Sequence, residues 1–553
     1  MSGWKLGLDG FVTHFMVSGP QEEPYFNEAK DKNQLRYEAY LRSVIAEHKP
    51  VGETGEILVG AKSRLNKEWK YYYDSGSCFV NISTFYSVMR RIHFDIATVL
   101  ETSSDIDVMA ALWSYAAVDV YCNGRLEGAL KQPVYKPIQK KELTLHLKAG
   151  RNLIYLACEN LGVRDTRSVA GLQILNHKDE IKVSIPDEAC ADAAAVAEAF
   201  LESARLESNK LCFDSPAPAG TSYTYRYHEE DFAKAKIPAV WYQAEGKNEI
   251  LLENGQPYVT VKVVSGKLEL KRVFERTEQL VPKYALREDG SAFSFEENKE
   301  LIFRRIADVM SESRGEKFGF PISNILARKH FNDNSMDDER LMYEMLEMIE
   351  ERYDCSDFLM CGLIRYLHNY PVEGAMKERI KDVMINYRYW MDMDGFDGMC
   401  FWSENHALMF YTCAMNAGEM YPDEYFPRAK MTGRELHLYG RNKVLQWLDD
   451  VEEYGFEEFL STVYMCVTFA ALINVVDYSE PEISKRAAAV TDKMLSMLAL
   501  HTYKTGIVAP MGRVYRSVLY PFDQGAMALM NLINPKLPYT FGEGWLGFYA
   551  SSH

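Results

Sequence analysis

The residues best suited to chemistry cluster at Phe401-Trp402-Ser403-Glu404-Asn405-His406, which lead into the apolar run Ala407-Leu408-Met409-Phe410. Ser403 is a good N-cap, which places Glu404, Asn405 and His406 in the first turn of a helix. Backbone N–H groups and the positive end of the helix dipole surround that turn, so a histidine there is pushed toward the neutral form that accepts a proton. The plainer reading is a cap and nothing more. Downstream, Glu457, Ser461 and Tyr464 are spaced i, i+4 and i+7, so one helix would carry a carboxylate, a hydroxyl and a phenol on a single face. Gly512-Arg513-Val514-Tyr515 adds a loop with one cation and one phenol.

Two further groups are weaker. Arg434, His437 and Arg441 are three and four residues apart on a helix face, where guanidinium groups would pair with uronate carboxylates or sulfates; a solvated surface face reads equally well. Met391-Asp392-Met393-Asp394-Gly395-Phe396-Asp397-Gly398 is a loop by composition. Its acids lack the alternation and the later bidentate Glu of a calcium loop, so we expect no metal there and a polar loop facing the site.

These candidates need a scaffold. Beyond about residue 296, apolar residues recur at helical spacing, as in Leu341-Met342, Met345-Leu346 and Ile349, or Phe358-Leu359, Leu363-Ile364 and Leu367. This half has room for about a dozen helices with short connections, the number used by an (α/α) toroid of helical hairpins, although an α-solenoid uses similar helices. The first half reads as strands. Val118 to Arg125 alternates into Asn123-Gly124, a strong hairpin signal. Leu143, Leu145 and Leu147 alternate again before Gly150-Arg151-Asn152 turns into a second strand, and this pattern predicts a β-sandwich over 1–188. Residues 189–207 predict a helical insert, and strands resume at Tyr223, Tyr225 and Tyr227, through Val240-Trp241 and Tyr258 to Val264, closing near Val281-Pro282. The expected organisation is therefore a sandwich (1–188), a helix followed by a second β-rich segment (189–295), and a helical catalytic domain (296–553).

The 553 residues carry 62 basic and 79 acidic side chains, a net charge of −17. Such a chain repels phosphate backbones and anionic membrane surfaces, so nucleic acid and membrane drop out as default partners. No run approaches the roughly 20 apolar residues of a membrane span. The N-terminus lacks a basic lead followed by an apolar run, and the ten cysteines are scattered without a disulfide spacing. A cytoplasmic protein with buried thiols and no cofactor is the expectation; the oligomeric state is not legible.

Two resemblances sharpen this picture. The stretch VYCNGRLEG…LTLHLKAGRNLIYLACENLGVRDT, within roughly residues 85–175, resembles the jelly-roll modules attached to α-rhamnosidases and β-galactosidases. The Asn405-His406 pair opening a helix, with Tyr464 inside a later one, resembles the alginate-lyase-type (α/α) toroid polysaccharide lyases. That likeness implies that Asn405 binds a uronate carboxylate, with His406 and Tyr464 as base and acid. One departure matters. Those lyases often hold an arginine two turns before the tyrosine, and here the position is Glu457. A carboxylate suits glycoside hydrolysis, in which Glu404 and Glu457, with Glu458 as the spare, would be the acid and the base or nucleophile. The leading expectation is β-elimination on an oligosaccharide containing uronic acid, with Trp402, Arg434, Arg441, Arg513 and Tyr515 as further substrate contacts. Hydrolysis by a toroid glycoside hydrolase, and a non-catalytic carbohydrate-binding protein, are the alternatives.

Overall fold

Asn123 and Gly124 both take positive φ, +50° and +81°, and close a two-residue hairpin between strands Ala117–Cys122 and Arg125–Leu130. Asn-Gly suits such a turn because neither residue pays much for left-handed backbone. The protein is described from a computed structural model at residues 3–7, 9–24, 55–135, 137–164, 166–207, 209–227, 240–244, 248–253, 258–275, 284–307, 320–334, 337–395, 397–503, 506–514 and 525–538. These fall into two compact units, within 1–280 and 281–553 apart from residues 31–33.

In the first unit, strand Gly150–Arg164 pairs antiparallel with Tyr86–Thr102 on one side and Ala117–Cys122 on the other, inside an eight-stranded sheet. A four-stranded sheet runs Val80–Asn81, Val169–Ile174, Ile106–Ser114, Gln139–Leu147. Alternate residues of the two sheets share one core: Ile96, Val118, Val120 and Leu156 from the first meet Val108, Ala110, Leu112 and Leu145 from the second. That is a β-sandwich, built by the period-two pattern. Helix α1 (Glu188–Glu202), capped by the Asp187 carboxylate on the Cys190 N–H, follows. Its Ala194 and Phe200 pack with Tyr223, Val259 and Val261 of a further four-stranded sheet containing Thr221–Arg226 and Tyr258–Ser265. The helix ends at Glu202 and Arg205–Glu207 is a strand, so the 189–207 segment is helical only in its first part. Val240 and Trp241 precede the short strand Tyr242–Gln243, and Val281-Pro282 lies outside the described residues.

The second unit is helical. Its described helices are α2 (Phe295–Ala307), α3 (Phe320–His330), α4 (Asp338–Glu350), α5 (Ser356–Asn369), α6 (Gly374–Ile385), α7 (Glu404–Met420), α8 (Gly433–Tyr454), α9 (Tyr464–Tyr478), α10 (Pro481–His501) and α11 (Gly525–Ile533). The predicted stripes are the buried faces: Leu341, Met345, Leu346 and Ile349 of α4, with Leu359, Leu363 and Ile364 of α5. Helices α7 and α8 approach so closely that a Cβ on Gly440 would stand 2.4 Å from the Met415 amide nitrogen, and one on Gly418 the same distance from the Gly433 carbonyl oxygen. Glycine at these points sets the helix spacing. Among the described residues no helix is long and apolar enough to cross a membrane. All ten cysteines are free thiols, seven of them buried.

Candidate functional site at the start of helix α7

Ser403 takes the extended N-cap backbone (φ −89°, ψ 155°) that its residue type predicts, and α7 begins at Glu404. Its hydroxyl does not cap the helix; it accepts from Asn405 Nδ2 at 3.1 Å. The helix start is instead laced to the turn before α9. Glu404 Oε1 accepts the Glu457 N–H and Oε2 accepts the Glu458 N–H, each at 3.0 Å. In return, Glu458 Oε2 accepts the Asn405 N–H at 3.1 Å and Asn405 Nδ2 at 2.6 Å. Both carboxyl groups are buried. Burial, reinforced by the neighbouring Glu458 and Glu457 carboxylates and opposed by the two backbone donors, pushes the Glu404 carboxyl up to about 7. A carboxyl so placed holds a proton near neutral pH and can deliver it.

Arg513 completes the cluster. Its Nη1 lies 3.0 Å from Glu458 Oε1, and its guanidinium carbon stands 4.0 Å from the centroid of the Tyr464 ring. Asn405 Oδ1 is buried with no hydrogen-bond partner among the described residues. Trp402 and Phe459, next but one and next in sequence to the two carboxylates, are exposed, 39% and 41% respectively. Of the predicted site residues, the structure thus gathers Glu404, Asn405, Tyr464 and Arg513.

Several expectations are corrected. Glu457 contributes its backbone N–H while its side chain is exposed; Glu458, the spare, supplies the second buried carboxylate. Glu457, Ser461 and Tyr464 do not share a helix face, because α9 begins only at Tyr464 and Leu460 takes a left-handed φ of +52° that interrupts any helix through 457–464. Arg434 pairs with Asp423 at 2.8 Å, Arg441 pairs with Glu480, and His437 Nδ1 donates to the Met415 carbonyl at 2.9 Å. These three serve the surface and packing of α8. In the 391–398 loop, Asp397 is engaged by Arg388 at 3.1 Å and Arg352 at 3.2 Å, and Asp394 by Lys430. Tyr515 lies outside the described residues.

His406 also departs from expectation. Its Nδ1 meets Asp357 Oδ2 at 2.7 Å, and its ring stacks on Phe358 at 4.8 Å. Burial alone would lower it, but the Asp357 carboxylate, the nearby Cys400 sulfur and the hydrogen bond to Cys355 together more than reverse this and hold the imidazole well above its ordinary value. Burial raises Asp357 too, so the pair binds its proton tightly. The helix dipole, which argues for a neutral ring, is outweighed by a carboxylate in direct contact. Asp357, Cys355 and Phe459 are the site residues that motif reading leaves unassigned; Glu458 is read there only as the spare to Glu457.

No protein-family model matches the chain, and no curated protein matches it. Among solved structures, a GH78 family rhamnosidase of a Bacillus species is 10% identical, over 90% of this chain and 65% of that one, with a TM-score of 0.24. A β-glucuronidase of Parabacteroides merdae is 9% identical over 63% and 55%, TM-score 0.16. A family 35 carbohydrate-binding module from an environmental isolate is 17% identical over 26% and 94%, TM-score 0.15. The chain spans less than two thirds of either enzyme. Likenesses at these TM-scores assign neither fold nor activity.

Proposed function

We propose that the protein hydrolyses a glycosidic bond, with Glu404 as general acid and Glu458 as the partner carboxylate. The observation that carries this reading is the Glu404 carboxyl pushed up to about 7 beside a second buried carboxylate bound to Arg513. Paired carboxyl groups in unlike environments divide the work of acid and base. Glu404 would protonate the departing glycosidic oxygen, and Glu458 would act on the anomeric carbon, directly or through water. Trp402 and Phe459 offer exposed aromatic faces for the apolar sides of sugar rings, and Asn405 Oδ1 would accept a hydroxyl.

β-Elimination becomes the second reading. The Arg513–Tyr464 contact favours it, since a guanidinium beside a phenol can hold a uronate carboxylate near a proton-transfer group. It loses its first candidate base, because His406 is buried and shares its proton with Asp357.

The test is to incubate the protein with neutral and uronate-containing oligosaccharides, reading new reducing ends and the ultraviolet absorbance of an unsaturated product. Hydrolysis expects reducing ends without that absorbance, lost by about 10²-fold or more in Glu404→Gln. Absorbance lost in Tyr464→Phe would replace hydrolysis with elimination. Sugar binding without turnover would make the protein a binding module.

A further inference from the structure

A second constellation sits at the N-terminus of α5. Cys355 is its N-cap residue, in left-handed backbone (φ 64°, ψ 21°), one residue before the first turn of a 14-residue helix. Its Sγ lies 4.0 Å from His406 Nε2 and donates to Asp354 Oδ2 at 3.5 Å, while His406 Nδ1 is fixed by Asp357 at 2.7 Å. Sulfur, imidazole and carboxylate therefore stand in the order of a nucleophile, its base and the group that orients the base. The Phe358 ring, parallel to the imidazole within 12°, limits its rotation. Asp357 Oδ1 is buried without a hydrogen-bond partner among the described residues, so this carboxylate is spent on the histidine.

The other buried thiols sit differently. Cys122, Cys158, Cys413 and Cys466 direct their sulfur at backbone carbonyls, which favours the protonated thiol. Burial pushes Cys122 up to about 11 and Cys466 up to about 12. Cys355 Sγ is within hydrogen-bond reach of His406 Nε2, and the Cys400 sulfur also lies close enough to bear on that imidazole. A helix N-terminus and an imidazolium both favour the thiolate, the reactive form, and oppose the Asp354 carboxylate, which accepts the thiol S–H and favours the neutral form.

We propose that Cys355 is a nucleophilic thiol activated by His406 and Asp357, a modification site for small soft electrophiles such as hydrogen peroxide. The thiol proton rests on His406 Nε2. The sulfur attacks one peroxide oxygen; the S–O bond forms as the O–O bond breaks. The departing hydroxide takes the proton from Nε2 and leaves as water. Sulfur is oxidised by two electrons to the sulfenic acid, and the peroxide is reduced. A thiol reductant reverses the change. At 5% exposure, Cys355 admits small reagents only.

The experiment is brief labelling of the full-length native protein with iodoacetamide, followed by peptide mass mapping of all ten cysteines. Cys355 should label at least about tenfold faster than the buried thiols Cys361, Cys413 and Cys466. Peroxide pretreatment should block it, and dithiothreitol should restore it. His406→Gln should slow Cys355 about tenfold while Cys413 stays protected. If that variant unfolds, shown by rapid Cys413 labelling, the wild-type ordering alone decides. Cys355 labelling as slowly as Cys361, Cys413 and Cys466 overturns the proposal, as does an unchanged rate in folded His406→Gln. No carbohydrate enters the measurement, so its failure and that of the hydrolase reading are separate results.

Discussion

Glu404 and Glu458 each place their carboxylate on the other's stretch of backbone: Glu404 on the N–H groups of 457 and 458, and Glu458 on the N–H of Asn405, one residue past Glu404. This exchange brings two carboxyl groups together out of water, and it makes their surroundings unequal. Glu458 has Arg513; Glu404 has only backbone donors, and its proton affinity rises to match.

Activity should therefore fall on the alkaline side. An acid that titrates at about 7 is protonated below that value and spent above it. The kcat/KM profile should show a descending limb near pH 7. A flat profile through pH 8 would remove Glu404 from the acid role.

The same group links stability to pH. Its folded value of about 7 lies above the ordinary 4.5, so the folded state binds the extra proton between the two. The contribution is complete below about pH 4.5 and is lost as pH rises through 7, in total about 3 kcal/mol. Urea unfolding of the wild type and of Glu404→Gln, whose side chain does not titrate, should diverge by that order between pH 5 and 8. Parallel curves would refute the linkage.

The two adjacent glutamates should separate cleanly. Glu458→Gln removes an acceptor of two Asn405 hydrogen bonds and the partner of Arg513, and should cost both turnover and about 2–4 kcal/mol of stability. Glu457→Gln keeps its backbone N–H and alters an exposed side chain, so activity and thermal midpoint should stay near wild type. Equal losses in both variants would overturn the distinct role of Glu458.

Arg513→Lys tests the guanidinium itself. Lysine keeps the charge but loses the planar face over Tyr464 and the fork toward Glu458. Because the side chain is over a third exposed, the stability change should be under about 1 kcal/mol. The kcat/KM should nevertheless fall about tenfold or more. An unchanged kcat/KM would place Arg513 outside the site.

Gly440→Ala should be among the more damaging single-methyl changes, costing roughly 1–3 kcal/mol, because its Cβ would collide with main chain of α7. Calorimetry on the variant would show whether the helices can part without that penalty.

Much of the architecture was legible because it follows from local rules. Asn123-Gly124 dictates a hairpin through its own backbone preferences, and the α4 stripe of Leu341, Met345 and Ile349 repeats at helical period. The start of α7 at Ser403 was legible for the same reason. The site was less so, because its decisive contacts are long-range. His406 takes its charge state from Asp357, which lies 49 positions away. Glu458 rather than Glu457 turns inward in a turn where Leu460 adopts a left-handed conformation that its side chain does not advertise. Arg441 reads as a substrate clamp by spacing, yet Glu480 at the foot of α10 satisfies it. Spacing says which side chains share a face; it does not say which partners arrive first.

The crossed hydrogen bonds at Glu404 and Glu458 also bear on how this region breathes. Neither the first turn of α7 nor the 457–458 turn can peel away without stripping an acceptor from the other, so the two should open as a single cooperative unit. The amides of Asn405, Glu457 and Glu458 would then share one hydrogen-exchange free energy despite lying more than 50 residues apart. A graft of either segment into another scaffold would carry only half of that lock.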